Sequence, residues 1–79
     1  MAKRIVKLTF TENLVKEPLT FQMAKKYNIM PNIRRAKVTE TIGELVLELD
    51  GVDKDLDKGV NFLKSKGVIV ESVVGDVLE

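Results

Sequence analysis

Apolar and polar residues alternate from Arg4 to Phe10: Val6, Leu8 and Phe10 fall to one side, Ile5, Lys7 and Thr9 to the other. A period of two is the mark of a half-buried strand. Thr11, Glu12 and Asn13 break the pattern and open a loop that runs to Pro18. Beyond it the period lengthens. Leu19, Met23, Ala24 and Tyr27 make one stripe of a helix, with Gln22, Lys25 and Lys26 turned away. Pro18 suits the first turn, where its missing N–H is not needed. Phe21 breaks the stripe, because its helical angle sets it on the polar side. It either lies partly under the preceding loop or contacts a partner or ligand. Single exposed apolar residues are ordinary, which favours the first.

The stretch Asn28 to Thr39 opens with a turn signal, since Pro31 lacks a donor and restricts Met30 to extended geometry. It ends in a β-branched pair, Val38 and Thr39. As a regular strand it places Arg34, Ala36 and Val38 on one face and Ile33, Arg35, Lys37 and Thr39 on the other. Neither face is purely apolar, which fits a sheet edge. Gly43 permits a tight reversal into a partner strand, Glu44 to Leu49, with Leu45, Leu47 and Leu49 opposed to Val46, Glu48 and Asp50. Asp50-Gly51 is expected to close the hairpin with a turn.

Asp53 then reads as a helix N-cap, with Asp55 and Asp57 favouring the helix N-terminus. Leu56, Gly59, Val60 and Leu63 form its buried stripe. Gly59 costs about 1 kcal/mol relative to alanine there, and close approach of helix to sheet is the expected compensation. Gly67 is a natural C-terminal cap after Lys64 and Lys66. Val68 to Val74 is the last strand, Val68 and Val70 against Ile69, Glu71 and Val73, and Gly75 to Glu79 a tail. Two right-handed crossovers around a hairpin predict an α+β fold of order βαββαβ. This is the ferredoxin-like split β-α-β sandwich, a four-stranded antiparallel sheet with two helices on one face. Residues 1–79 form a single domain with its core at about 4–74.

Composition narrows the function. The chain has 79 residues, enough for one domain. A domain this small buries only about three-fifths of its unfolded-chain surface, so tight packing or self-association must add stability. A net charge of +1 gives no long-range pull on nucleic acid. Cysteine and histidine are absent, which removes thiol and disulfide chemistry, zinc-finger and iron–sulfur ligation and the near-neutral proton shuttle. No apolar run approaches the roughly 20 residues of a membrane helix, and the basic start lacks the apolar segment of a signal peptide. A cytoplasmic protein without membrane insertion is expected. The run Asp50, Asp53, Asp55, Asp57 lacks the terminal glutamate of a calcium loop and suits helix capping better than a metal. With no nucleophile or proton-transfer constellation, the expectation is a non-enzyme without a cofactor.

If both helices cover one face, the other carries Ile5, Val46, Ile69 and Val73 among Lys7, Arg35, Lys37, Glu48 and Glu71. It is either a solvated face or a homodimer interface, in which the apolar residues cluster and charges pair across a two-fold axis. Ile5, Arg35, Lys37, Val46, Glu48, Ile69 and Val73 are the candidate interface. An RNA-binding module of this topology would need aromatics on that face, and the expected face has none.

The segments Asn32-Ile33-Arg34, Arg35-Ala36-Lys37-Val38, Gly43 to Gly51 and Gly59 to Val68 together resemble the NIL domain, a family named for an Asn-Ile-Leu signature at the start of the second strand. The resemblance runs from Arg4 to Val74. It implies a regulatory domain of one of two kinds. One is the C-terminal domain of ATP-binding subunits of methionine-importing ABC transporters, which binds methionine as a dimer. The other is an N-terminal domain ahead of an iron–sulfur ferredoxin module linked to sulfur metabolism. The opening Arg4–Phe10 and Leu14–Pro18 look closer to the second, but the ferredoxin cysteines are missing. On the residues, Asn32 matches the signature asparagine and Ile33 the isoleucine, while Arg34 stands where leucine is expected. The amide of Asn32 can both donate and accept, which suits an amino acid's carboxylate and ammonium. Arg34 implies either a packed stem with its head in solvent or a ligand preference moved toward an anionic group. Met30 and Phe21 are candidates to line a thioether pocket. The resemblance therefore implies binding of methionine or a related sulfur amino acid near Met30, Asn32, Ile33 and Arg34. The alternative is an interaction module that docks onto a transporter or sulfur-metabolism protein and binds no metabolite.

Overall fold

Strand β1 (Ala2–Phe10) turns Val6, Leu8 and Phe10 inward, as the alternation predicts, and begins two residues earlier than expected. In the computed structural model, which describes residues 2–15 and 17–73, it is followed by α1 (Leu19–Tyr27), β2 (Met30–Val38), β3 (Gly43–Gly51), α2 (Asp53–Ser65) and β4 (Ile69–Ser72). The sheet order is β2-β3-β1-β4 with every pair antiparallel, the ferredoxin-like arrangement. Strand β2 is an edge, as its mixed faces suggested. Val74 and the expected tail, Gly75 to Glu79, lie outside the described residues.

The core sits between the sheet and the two helices. Val6, Leu8, Phe10, Leu47 and Leu49 rise from the strands to meet Leu19 and Met23 of α1 and Leu56 and Leu63 of α2. Ile29 and Val68 close it from the connections, and Leu14 and Val15 reach it from the β1–α1 loop. Each fully buried leucine contributes about 2 kcal/mol of transfer free energy. No polar or charged residue is buried among the described residues. Tyr27 and Phe62 meet edge to face at 5.9 Å between ring centres where the helices adjoin.

Several local expectations gave way to tertiary contacts. The hairpin turn is not at Gly43, which is already in β3 opposite Val38 and Phe10. It is Thr39–Ile42, where the Thr39 N–H donates to the Ile42 carbonyl at 2.8 Å. The Thr39 hydroxyl oxygen accepts from the N–H groups of Thr41 and Ile42 at 3.3 and 3.1 Å. That hydroxyl does locally what a glycine turn does by conformation. Asp50 and Gly51 form no turn either, because they extend β3 opposite Lys3 and Ala2. Asp53 is not the N-cap. Val52 holds that position, no side chain caps it, and Asp53 instead joins Asp57 in pairing with Arg4. The contact to Asp57, at 2.8 Å, is the stronger cause that raises the Arg4 guanidinium above its ordinary pKa. Pro18 stands one place before α1 rather than inside its first turn.

Gly59 is tight against the other helix and the α1–β2 connection, not against the sheet. A Cβ there would press on the δ-methyl of Ile29 and come within 2.9 Å of the Met23 sulfur. At the far end of α2 the prediction of a glycine cap holds. Gly67 has φ 97°, its N–H donates to the Lys64 carbonyl at 3.0 Å, and the Val68 N–H donates to that of Leu63 at 3.1 Å. This is a Schellman motif, with Val68 and Leu63 supplying its apolar contact.

Candidate functional site

Among the described residues nothing covers the side of the sheet away from the helices, and the strand register lays its side chains out in four rows. Lys3, Asp50 and Met30 form the first. Ile5, Glu48 and Asn32 form the second, with Val73 beside Ile5 through an N–H to carbonyl bond of 2.9 Å. Glu71, Lys7, Val46 and Arg35 form the third, and Ile69, Thr9, Glu44 and Lys37 the fourth. The seven residues expected at an interface thus do share one face.

The site expected around Asn32 is only partly assembled. Asn32 stands opposite Glu48 and Met30 opposite Asp50, so both belong to the uncovered face, and both are exposed. Ile33 stands opposite Leu47 and so belongs to the helix side, where it is 61% exposed. The regular alternation expected for this strand, with Ile33 beside Arg35, is therefore corrected. A bulge lies between Ile33 and Arg35, which pair with the successive residues Leu47 and Val46. Arg34 is the extra residue, and one extra residue reverses the facing of everything before it. No glycine marks the bulge, so nothing local in the sequence announces it.

Arg34 is not idle. Its guanidinium reaches Glu48 at 3.4 Å, and Lys3 approaches the other Glu48 oxygen at 3.9 Å. Glu48 is thereby engaged by two cations. Asp50, one row away, keeps one carboxylate oxygen shielded from water and without a hydrogen-bond partner among the described residues. Such a group is uncommon in folded proteins and asks for a partner.

Next to the Asn32 row is a groove of about 410 Å³, walled by Lys7, Arg35 and Lys37 and floored by Val46, with Ala36, Glu44 and Val73 completing it. That size suits a small metabolite. Most of these residues are interface candidates from the sequence alone, but the space they enclose depends on the strand register. The cross-strand row Lys7–Val46–Arg35 was the signal, and it needed the register to be visible. A smaller apolar groove of about 130 Å³ lies on the helix side, bounded by Phe21, Val38, Val15 and Pro18. Phe21 is 64% exposed there, so it does not lie under the preceding loop, and it is on the opposite side from Met30 and Asn32. Among the described residues no group of acidic side chains is arranged to hold a metal ion, and no helix is long and apolar enough to cross a membrane.

Fold and surface together define a small ferredoxin-like module with one helix-covered and one uncovered sheet face. The NIL domain model matches residues 4–72, and the chain belongs to that family. It is 34% identical over 71 residues to methionine import ATP-binding protein MetN 1 of a Bacillus cereus strain, a match covering 85% of this chain and 20% of that protein. It is 33% identical over 76 residues to MetN of Protochlamydia amoebophila, covering 91% and 22%. The chain thus spans about a fifth of the length of the curated relatives it matches. The fold is shared with the C-terminal domain of an ABC transporter ATP-binding protein from Enterococcus faecalis, at TM-score 0.82 and 19% identity, covering 92% of this chain and 86% of that one.

Proposed function

We propose that this domain is a non-catalytic sensing module that binds a small amino acid, methionine or a related sulfur amino acid, between two copies of itself. The observation that carries the reading is the placement of Asn32. The signature amide of the family projects from the uncovered face, one row from the Asp50 oxygen that has no partner among the described residues. An amide and a carboxylate side by side are what the carboxylate and ammonium of an amino acid require. Met30, Asn32 and the head of Arg34 contribute from one side, and Ile33 would act only through the backbone. The second copy would cover the face through Ile5, Val46, Ile69 and Val73, with Arg35, Lys37 and Glu48 pairing with charges across the two-fold axis. Descent alongside methionine-import ATP-binding proteins supports a regulatory role toward a transporter.

Isothermal titration calorimetry with methionine, homocysteine and their relatives tests it. Heat is expected from at least one compound at millimolar concentration or below, and Asn32→Ala removes it. Silence from all of them in the wild-type domain overturns the reading.

A second reading rests on a different surface. Phe21, Ile33 and Val38 are all more than half exposed on the helix side of the β2 edge. These apolar residues favour docking onto a larger protein, a transporter subunit or a sulfur-metabolism enzyme, without any metabolite. Val38→Asp distinguishes the two: it weakens capture by such a partner and leaves calorimetric binding intact.

A further inference from the structure

Three cations surround Val46. Lys7 and Arg35 flank it across the strands, and Lys37 stands two residues beyond Arg35 on the same face. Among the described residues, none of the three forms an ion pair or a side-chain hydrogen bond. Glu44 lines the same groove and Glu71 stands opposite Lys7, yet neither closes a salt bridge with them. The acid best placed at the centre of the face, Glu48, is already held by Arg34 and Lys3.

A methionine side chain meets the apolar floor of this groove but gives its cations no partner. Its polar end would sit at Asn32 and Asp50, and its neutral methyl thioether would run along the face toward Val46 and end among ammonium and guanidinium groups. A second copy brings a second set of the same cations toward the first, and those that the duplicated acids do not pair are left facing one another. Like charges brought together in a desolvated interface oppose closure unless an anion lies between them.

We infer that the ligand is an amino acid whose side chain ends in an acidic group, seated with its α-carbon end at the Asn32 row and its side-chain acid in the groove of Lys7, Arg35 and Lys37. The inference rests on the reading of the uncovered face as an amino-acid site and names the ligand class that site takes. The reach is suitable. The Asn32 and Arg35 rows are adjacent, and same-face neighbours along a strand are roughly 7 Å apart, close to the length of an extended glutamate-sized molecule. Arg35 supplies a planar fork for a carboxylate, and the lysines supply point charges on flexible stems. The stem of the ligand crosses Val46 and Ile5, an apolar floor that also accommodates a thioether.

The test is a calorimetric series on the wild-type domain with methionine, S-carboxymethylcysteine, glutamate and succinate. S-carboxymethylcysteine carries a thioether and a terminal carboxylate, and glutamate the carboxylate alone. Succinate lacks the ammonium that Asp50 would accept. Both acidic amino acids are expected to bind at least about tenfold more tightly than methionine, and succinate more weakly than glutamate. Arg35→Gln should close most of the gap between the acidic amino acids and methionine, whatever it does to methionine affinity itself. Lys37→Gln, at another exposed position of the same face, is the second variant should the first lose its fold. Methionine binding as tightly as the acidic compounds, or an Arg35→Gln variant with the preference intact, overturns this inference and leaves the amino-acid site standing. No heat from any of the four overturns both.

Discussion

Leu47 and Val46 are neighbours in the chain and face opposite ways. The face that Leu47 joins is sealed by two helices, and Leu47, Leu49 and Leu8 are completely buried there. On the face that Val46 joins, Val46 is itself 8% exposed, screened by the long side chains around it, but it stands outside the main core cluster. Lys, Arg, Asp and Glu fill most of the remaining positions. One strand therefore serves two purposes at alternate residues. The covered side needs volume and hydrophobicity and tolerates little else. The uncovered side packs little besides Val46 in a single copy, so most of its residues are free to be selected for what they bind. The largest mutational effects on stability should fall on the first side, and the largest on association and ligand choice on the second.

Leu47→Ala gives the largest expected loss. Removing a wholly buried leucine costs about 2–5 kcal/mol. A chain of this length has roughly 4–12 kcal/mol of total stability. A urea midpoint that falls by a third or more is expected. A shift near zero would mean that the covered side is not the core.

Gly59→Ala comes next and tests why the covered side has its present spacing. Alanine improves helix propensity by about 1 kcal/mol, but its methyl would press on Ile29 and Met23. Overpacking of this kind costs about 1–3 kcal/mol. The net expectation is a loss of roughly 1 kcal/mol by urea unfolding. A gain would show that the two side chains move aside freely and that the helix crossing does not require glycine.

The two faces were not equally legible in the chain. Val6, Leu8 and Phe10, with Leu45, Leu47 and Leu49, announce the covered side because each strand has one apolar edge to its alternation. The uncovered side follows by subtraction in β1, β3 and β4. It fails in β2, where the extra residue Arg34 reverses the facing of Ile33 without any glycine to signal it. Asp50-Gly51 misled for the opposite reason. A strong local turn signal lost to ladder bonds with Ala2 and Lys3, residues nearly fifty positions away. Asn32 could be placed at a strand entrance from local signals, but which way its amide points depends on a bulge and a register that only the assembled sheet defines.

Arg34→Leu restores the family signature at that bulge. Its pair with Glu48 is only partly shielded, with side-chain exposures of 34% and 23%, so stability should change by no more than about 1 kcal/mol. Ligand choice should respond more than stability does. With Glu48 released from Arg34, the uncovered face carries one cation fewer, and calorimetry should show a narrower gap between acidic and neutral amino acids. An unchanged gap would assign Arg34 to holding Glu48 and nothing more.

Ile69→Asp has the smallest expected effect on the fold and separates the two faces most cleanly. Ile69 is 53% exposed at the β4 edge of the uncovered side. A charge there leaves no buried group unpaired and opens no cavity, so unfolding should shift by no more than about 0.5 kcal/mol. In a two-fold pair of sheets, however, the same side chain would be carried into an apolar cluster with Ile5, Val46 and Val73. Burying an unpaired carboxylate is strongly unfavourable. Sedimentation velocity at micromolar concentration should therefore show a dimer for the wild-type domain and a monomer for the variant, both with the same melting curve. A wild-type domain that sediments as a monomer with or without amino acid would remove the second copy from the proposal. A variant that still dimerises would move the interface to the apolar edge of β2, beside Phe21 and Val38.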